Sequence, residues 1–231
     1  MKNLHTFNSF LNESEEGVFS FEELSPEAQS HAIEEHRDIN VDYEGWEDSV
    51  TEGFKEDMEE IGISDIDISY SGFYSQGDGA SFTSEDIDTR KLFNAAGIKS
   101  TDALDMEVGN REDEDKEFHD LLDTLEDVGL VDRIRIKPEE LKVTIERGSS
   151  RYYHENTVSA TIEIWDEPEG WDEPYDFIRD LEIDITDFIR GKCRELYSKL
   201  EKEYDFLTSD EAVKETLIDN DYQFDEEGNI I

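Results

Sequence analysis

The chain has one cysteine, Cys193, in 231 residues. An intramolecular disulfide and a cysteine-based zinc cluster both need several thiolates, so both are excluded. A reducing cytoplasm suits this composition. No run approaches the roughly 20 apolar residues that a membrane-spanning helix needs. The N-terminus carries Lys2 but no long apolar stretch, so no secretory signal is expected. Scarcest of all is positive charge: 21 Lys and Arg stand against 64 Asp and Glu, a formal net charge of −43. Anionic lipid and nucleic acid repel such a surface, so neither a membrane nor direct nucleic-acid binding is expected.

What is present suffices for a folded core. Hydrophobic residues make up 35% of the chain and aromatics 11%, which argues against wholesale disorder. Residues 1–20 are polar with spaced aromatics and read as an arm ahead of the main fold. From Phe21 to the C-terminus the pattern predicts a single acidic α+β domain, with a weak sub-boundary near residues 100–116 where periodicity is lost. Ser25-Pro26-Glu27 predicts a helix start running to about Arg37: serine as cap, proline at the first helical position, glutamate at the positive dipole end. Tyr43, Trp46, Val50, Phe54, Met58 and Ile61 recur at three- and four-residue intervals, predicting a second helix from about Asp42 to Ile61 that Gly62 stops. Asp65–Tyr70 and Ala80–Thr83 alternate as strands about a glycine-rich connection, a hairpin candidate. Phe118, Leu121, Leu122, Leu125 and Val128 predict another helix. Leu141–Glu146 and Thr157–Trp165 read as strands, Ile185 to about Phe206 as a helix, and Thr208–Glu211 as a capping box opening the last one. Helices and antiparallel hairpins in this order predict antiparallel sheet packed by amphipathic helices.

Several patterns invite chemistry and fail on spacing. His31 and His36 are five residues apart, about 140° around a helix, and cannot share one metal. Ser71–Ala80 has neither a nucleophile-elbow spacing nor a phosphate-cradling Gly-Lys-Ser/Thr, and its glycines suit a tight connection. Asp219–Glu227 is acid-rich, but its glycine falls in the wrong place for a calcium loop. Cys193, flanked by Arg190, Lys192 and Arg194, shares its helix with Ile189, Leu196 and Leu200 and reads as core. No catalytic residue, cofactor or metal site is expected.

The distribution of charge is more informative. Arg37 and Lys55 are the only cations from Glu22 to Glu60, Arg111 and Lys116 from Asp102 to Asp127, and Arg179 from Glu163 to Asp187. Salt adaptation, cation binding and imitation of a polyanion compete to explain such blocks; the mixed Lys and Arg and the plentiful Ile and Asn speak against the first. On the second predicted helix, Glu44, Glu47, Asp48, Glu52, Glu56 and Glu59 form one polar arc. A helix rises about 1.5 Å per residue and B-DNA carries one charge per about 1.7 Å. The candidate partner-binding surface is therefore this arc with Asp113, Glu114, Asp115, Asp166, Glu167, Asp172 and Glu173. Cations gather on one C-terminal helix, where Arg190, Lys192, Arg194, Lys199 and Lys202 suit internal pairing or a homodimer contact.

Ser71–Ala80 (SGFYSQGDGA), Arg151-Tyr152-Tyr153-His154-Glu155 downstream, and the C-terminal stretch LEKEYDFLTSDEAVKETLIDNDYQFDEEG resemble a family of tailed-phage proteins, some relatives of which are labelled antitoxin-like. The resemblance implies a phage origin and singles out Gln76, Gly77, Asp78 and Gly79 as the family loop. The N-terminus, MKNLHTFNSFLNES, is similar to the capsid-targeting leaders of T-even-type internal head proteins, with Leu11-Asn12-Glu13 matching a Leu-x-Glu prohead-protease site before Ser14. That similarity implies packaging in the virion and injection into the host. Together these features lead us to expect an acidic, DNA-like inhibitor of a host nucleic-acid-binding defence or regulatory protein, acting in the host cytoplasm. A packaged head protein without inhibitory role, and an enzyme or ligand-binding module built on the loop with Asp78 and His154, are the alternatives.

Overall fold

The computed structural model describes residues 17–98, 141–164 and 175–231. Within them the chain is α+β, with helices and short two-stranded antiparallel sheets. It forms two compact units, Met1–Asp48 with Leu200–Ile231 and Ser49–Lys199. The N-terminal arm to residue 16, the sub-boundary expected near 100–116 and the helix expected at Phe118–Val128 lie outside the described residues.

In the terminal unit, helix α1 (Pro26–Glu35) starts where its sequence signal places it: the Ser25 hydroxyl accepts a hydrogen bond from Ala28 N at 3.2 Å. Helix α5 (Asp210–Asp219) repeats the device, with Ser209 Oγ accepting from Ala212 N at 3.3 Å; this corrects the capping box expected from Thr208, whose hydroxyl donates to Tyr204 O at 2.8 Å instead. Both helices bring short apolar faces together. Phe21, Leu24, Ala28, Ala32, Val213, Leu217 and Phe224 form one buried cluster, and Phe21 meets Phe224 edge-on at 6.0 Å. Strand β1 (Phe19–Ser20) pairs antiparallel with Gln223–Phe224 beside this core. A helix leaves its last carbonyls without partners. Those at Leu207 and Thr208 are answered from the segment after α1: Asn40 Nδ2 donates to Leu207 O at 3.0 Å, and Arg37 Nη1 to Thr208 O at 2.9 Å.

In the central unit, helix α2 (Asp48–Glu60) buries Phe54 and Met58. Phe54 packs edge-on against Phe82 at 5.5 Å. Short strands β2 (Ile63–Ser64) and β5 (Asp86–Ile87) pair antiparallel, and strands β3 (Asp67–Tyr70) and β4 (Ala80–Thr83) form the expected hairpin, in register Asp67↔Thr83 to Tyr70↔Ala80. Strands β6 (Leu141–Arg147) and β7 (Val158–Ile164) form a second, and a bridge from Ser84 to Ile145 ties the two hairpins together. Leu141, Val143 and Ile145 alternate inward on β6, as do Val158, Ala160 and Ile162 on β7. Helix α4 (Tyr175–Leu207) supplies the opposing stripe in its part up to Lys199: Ile185, Ile189, Cys193 and Leu196, all fully buried.

Side chains of α4 also reach the backbone of β7. Glu182 Oε1 accepts from Ile162 N and Thr186 Oγ1 from Ala160 N, both at 2.9 Å, while Arg190 Nε donates to Val158 O at 3.1 Å. Four helical residues advance about 6.0 Å and two strand residues about 6.6 Å, so helix positions four apart match strand positions two apart.

Three further readings are corrected. Helix α2 begins at Asp48 rather than near Asp42, because residues 41–47 turn about Gly45 at φ +98°. Helix α4 begins ten residues before Ile185, its apolar stripe being interrupted by acidic residues. A short helix at Thr89–Ala95, α3, was not expected; Asp88 caps it by accepting from Lys91 N at 3.0 Å, and Leu92 and Phe93 are buried.

Gly228 has φ +93°, and a Cβ there would lie 2.3 Å from the carbonyl oxygen of Ala28. Gly228→Ala meets both a strained dihedral and a backbone atom, so a loss of at least about 2 kcal/mol is expected. Urea unfolding reads it as a lower midpoint at an unchanged m-value.

Candidate functional site

The loop from Ser71 to Gly79 is held on every side within the central unit. Ser71 N donates to Gly79 O at 3.0 Å and Asp78 N to Ser75 O at 3.1 Å, closing its base and tip. The Asp78 carboxylate points inward and accepts from Tyr74 N at 3.1 Å and Ser75 N at 2.6 Å. Phe73 stacks between Tyr70 and Tyr197, with centroids 6.3 and 5.7 Å away, and the Tyr197 hydroxyl donates to Gly72 O at 3.2 Å.

The glycines answer to close approach. A Cβ on Gly77, at φ +99°, would lie 2.9 Å from the Tyr152 ring. One on Gly79 would lie 2.5 Å from His154 Cα. The fold therefore brings the Ser71–Ala80 segment against the Arg151–Glu155 segment. Tyr152 stacks on His154 at 5.9 Å, Arg151 lies 4.7 Å over the Tyr152 ring, and Arg147 lies 4.5 Å over Tyr153. His154 Nδ1 accepts from Asn156 N at 3.2 Å, opening the 3₁₀ turn Glu155–Thr157. Asp78 and His154 are thus bound into local backbone structure, while Tyr74, Ser75 and Gln76 stand exposed at the tip.

The acidic arc is only partly assembled. Glu44 and Glu47 lie in the turns before α2, and Asp48 is its first residue. Asp48, Glu52, Glu56 and Glu59 are exposed on α2, four charges over about 16 Å of helix axis. That is sparser than the duplex spacing of about 1.7 Å, and the single rod of six carboxylates is corrected to four on the helix with two in the turns before it. Asp113, Glu114, Asp115, Asp166, Glu167, Asp172 and Glu173 lie outside the described residues.

The C-terminal cations mostly find acidic partners. Lys199 meets Asp57 of α2 at 2.6 Å, Lys192 meets Glu195 at 2.9 Å, and Arg194 lies 3.8 Å from Glu155. Burial pushes the Cys193 thiol up to about 12, in keeping with its place in the core. His31 Nε2 lies 3.2 Å from Asn229 Oδ1. The Asp225 carboxyl is held below its usual value by the Asn229 side chain and by backbone N–H groups, including those of Asn229 and Glu227. It serves its own turn. Among the described residues, no group of three or more His, Cys, Asp or Glu is placed to hold a metal ion.

These features define an α+β protein whose central unit displays a braced hairpin loop. Residues 46–210 match the family described as Domain of unknown function (DUF8835), and the chain belongs to that family. The match spans the whole central unit, including both segments that meet at the loop, and leaves out residues 1–45 and 211–231. No curated protein and no solved structure matches the chain.

Two consequences can be measured. Asp78→Ala removes the acceptor shared by the Tyr74 and Ser75 amides, and their hydrogen exchange is expected to quicken roughly tenfold while that of β6 and β7 stays unchanged. Cys193, buried and protonated, is expected to resist thiol reagents at pH 8 in the native protein and to react on unfolding.

Proposed function

We propose that the protein is a non-enzymatic, phage-encoded inhibitor that presents an acidic, DNA-like surface to a host nucleic-acid-binding protein of defence or regulation. The observation that carries this reading is the charge imbalance of the terminal unit. Among its described residues, Arg37, Lys202 and Lys214 are the only lysines and arginines. Arg37 is already committed, with ion pairs to Glu34 at 2.8 Å and Asp210 at 2.7 Å. Carboxylates such as Glu27, Glu35, Glu44, Glu211 and Glu215 face solvent over a small apolar core.

A shell of one sign with few internal counter-charges keeps its field over a Debye length, about 8 Å at physiological salt. It steers a basic groove toward it and suppresses acidic partners. A groove that has evolved to release DNA counterions meets the same charge sign here. The hydrogen bonds of Asp78 and His154, both local and structural, support a reading without catalysis. Action in the host cytoplasm, after packaging and injection, completes the proposal.

The test is capture of partners from host lysate, followed by affinity measured against salt and competing duplex. A nucleic-acid-binding protein is expected, its affinity falling as salt rises and duplex displacing the inhibitor. Reversing Glu44 and Glu47 to Lys, or Glu52, Glu56 and Glu59 to Lys, is expected to weaken the complex by about tenfold or more. A complex indifferent to duplex and to both reversals would sink the reading.

A further inference from the structure

The braced loop poses a question that acidity does not answer: why so much structure holds a tip at which Tyr74, Ser75 and Gln76 are exposed. Across the chain roughly one residue in four is a carboxylate. Between Asp67 and Glu85 the only one is Asp78, and between Glu146 and Glu155 there is none. Asp78 is turned into the loop, its charge answered by two backbone N–H groups. Glu155, at the margin, lies 3.8 Å from Arg194. The loop and the Arg151–Tyr152 corner against which it packs thus contribute no outward carboxylate of their own, in a chain of net charge −43; together they form a window.

The window also has the make-up of a contact surface. Tyr74 is 75% exposed and Tyr152 37%, and Ser75, Gln76 and Arg151 are exposed around them. Tyrosine and arginine are enriched among residues that dominate interfaces, and Tyr, Ser and Gly are the residues of binding loops, because a tyrosine offers a large rigid surface at little entropic cost. Bracing by Asp78, Phe73 and Tyr197 means that the loop is ordered before it binds.

We propose that this window is a self-association surface through which two copies of the chain pair. Two molecules each carrying −43 repel one another wherever carboxylates face outward, and the window is where that repulsion is least. A two-fold contact requires one patch to hold both members of a favourable pair. This patch holds tyrosine rings and a guanidinium that lies over the Tyr152 ring and donates to its hydroxyl within one chain, and the same arginine–tyrosine pairing can be exchanged between two copies. Only a handful of exposed side chains make up the patch, so a weak, concentration-dependent dimer is expected. The inference is independent of the inhibitor reading, and salt separates them: screening weakens a charge-steered complex but strengthens a contact opposed by like charge.

The test is sedimentation equilibrium of the full chain over a concentration series, at about 0.1 M and about 1 M salt, between which the Debye length falls from about 10 to about 3 Å. Dimer is expected to increase with salt. Tyr74→Asp and Arg151→Glu are each expected to weaken dimerisation roughly tenfold or more, with unfolding midpoints unchanged because both side chains are exposed. A monomer at every concentration and salt overturns the proposal. So does a dimer that dissociates as salt rises, or one that ignores both substitutions.

Discussion

The central unit depends on one contact, the ladder of Glu182, Thr186 and Arg190 along the backbone of β7. A two-stranded hairpin leaves an outer edge of unpaired N–H and C=O groups, costly if buried and adhesive if exposed. Here a helix supplies the missing partners with side chains instead of a third strand. The ladder fixes the rotation of α4, which turns Ile185, Ile189, Cys193 and Leu196 onto the sheet. The same rotation brings Tyr197 beneath Phe73 and Lys199 to Asp57, bracing the loop and tying α2 to the helix. Loss of one rung therefore unsettles more than a hydrogen bond.

A chain so rich in carboxylates uses many of them as acceptors for orphan N–H groups. Asp78 closes a loop, Asp88 caps α3, Asp225 holds the last turn, Glu23 accepts from Ser20 N, and Glu182 serves the sheet edge. A carboxylate that accepts N–H bonds is stabilised in its charged form, so part of the negative charge belongs to the fold's own hydrogen bonding. The remainder faces solvent, most one-sidedly in the terminal unit, where two short helices and a two-residue ribbon surround a small core. The loop tip is the counterpart in the central unit, its one carboxylate, Asp78, being turned inward.

Much of the fold was legible in local signals. Ser25-Pro26 and Ser209 announced helices because caps act within one turn, and the alternation in β3, β4, β6 and β7 marked strands because their faces are buried unequally. Misreadings arose where a long-range or backbone constraint overrode periodicity. Tyr43 and Trp46 fit the helical spacing of α2, yet Gly45 takes positive φ and breaks it. Helix α3 was marked by Asp88 and Gly97 but is too short to show a period. The loop was distinctive in sequence, but its glycines were readable only as freedom to turn. Their neighbours, Tyr152 and His154, lie more than seventy residues away.

By itself the sequence determined the net charge and its blocks, the fold class, the helix caps and the hairpins, because composition, periodicity and capping are local quantities. Only the tertiary structure decided that Asp78 faces inward, that the arc from Glu44 to Glu59 is divided at Gly45 and Asp48, and that α4 closes the edge of β7. The physical reason is common to all three. Where a polar group points is settled by which orphaned partner comes within hydrogen-bonding distance, and that partner is placed by the packing of distant segments.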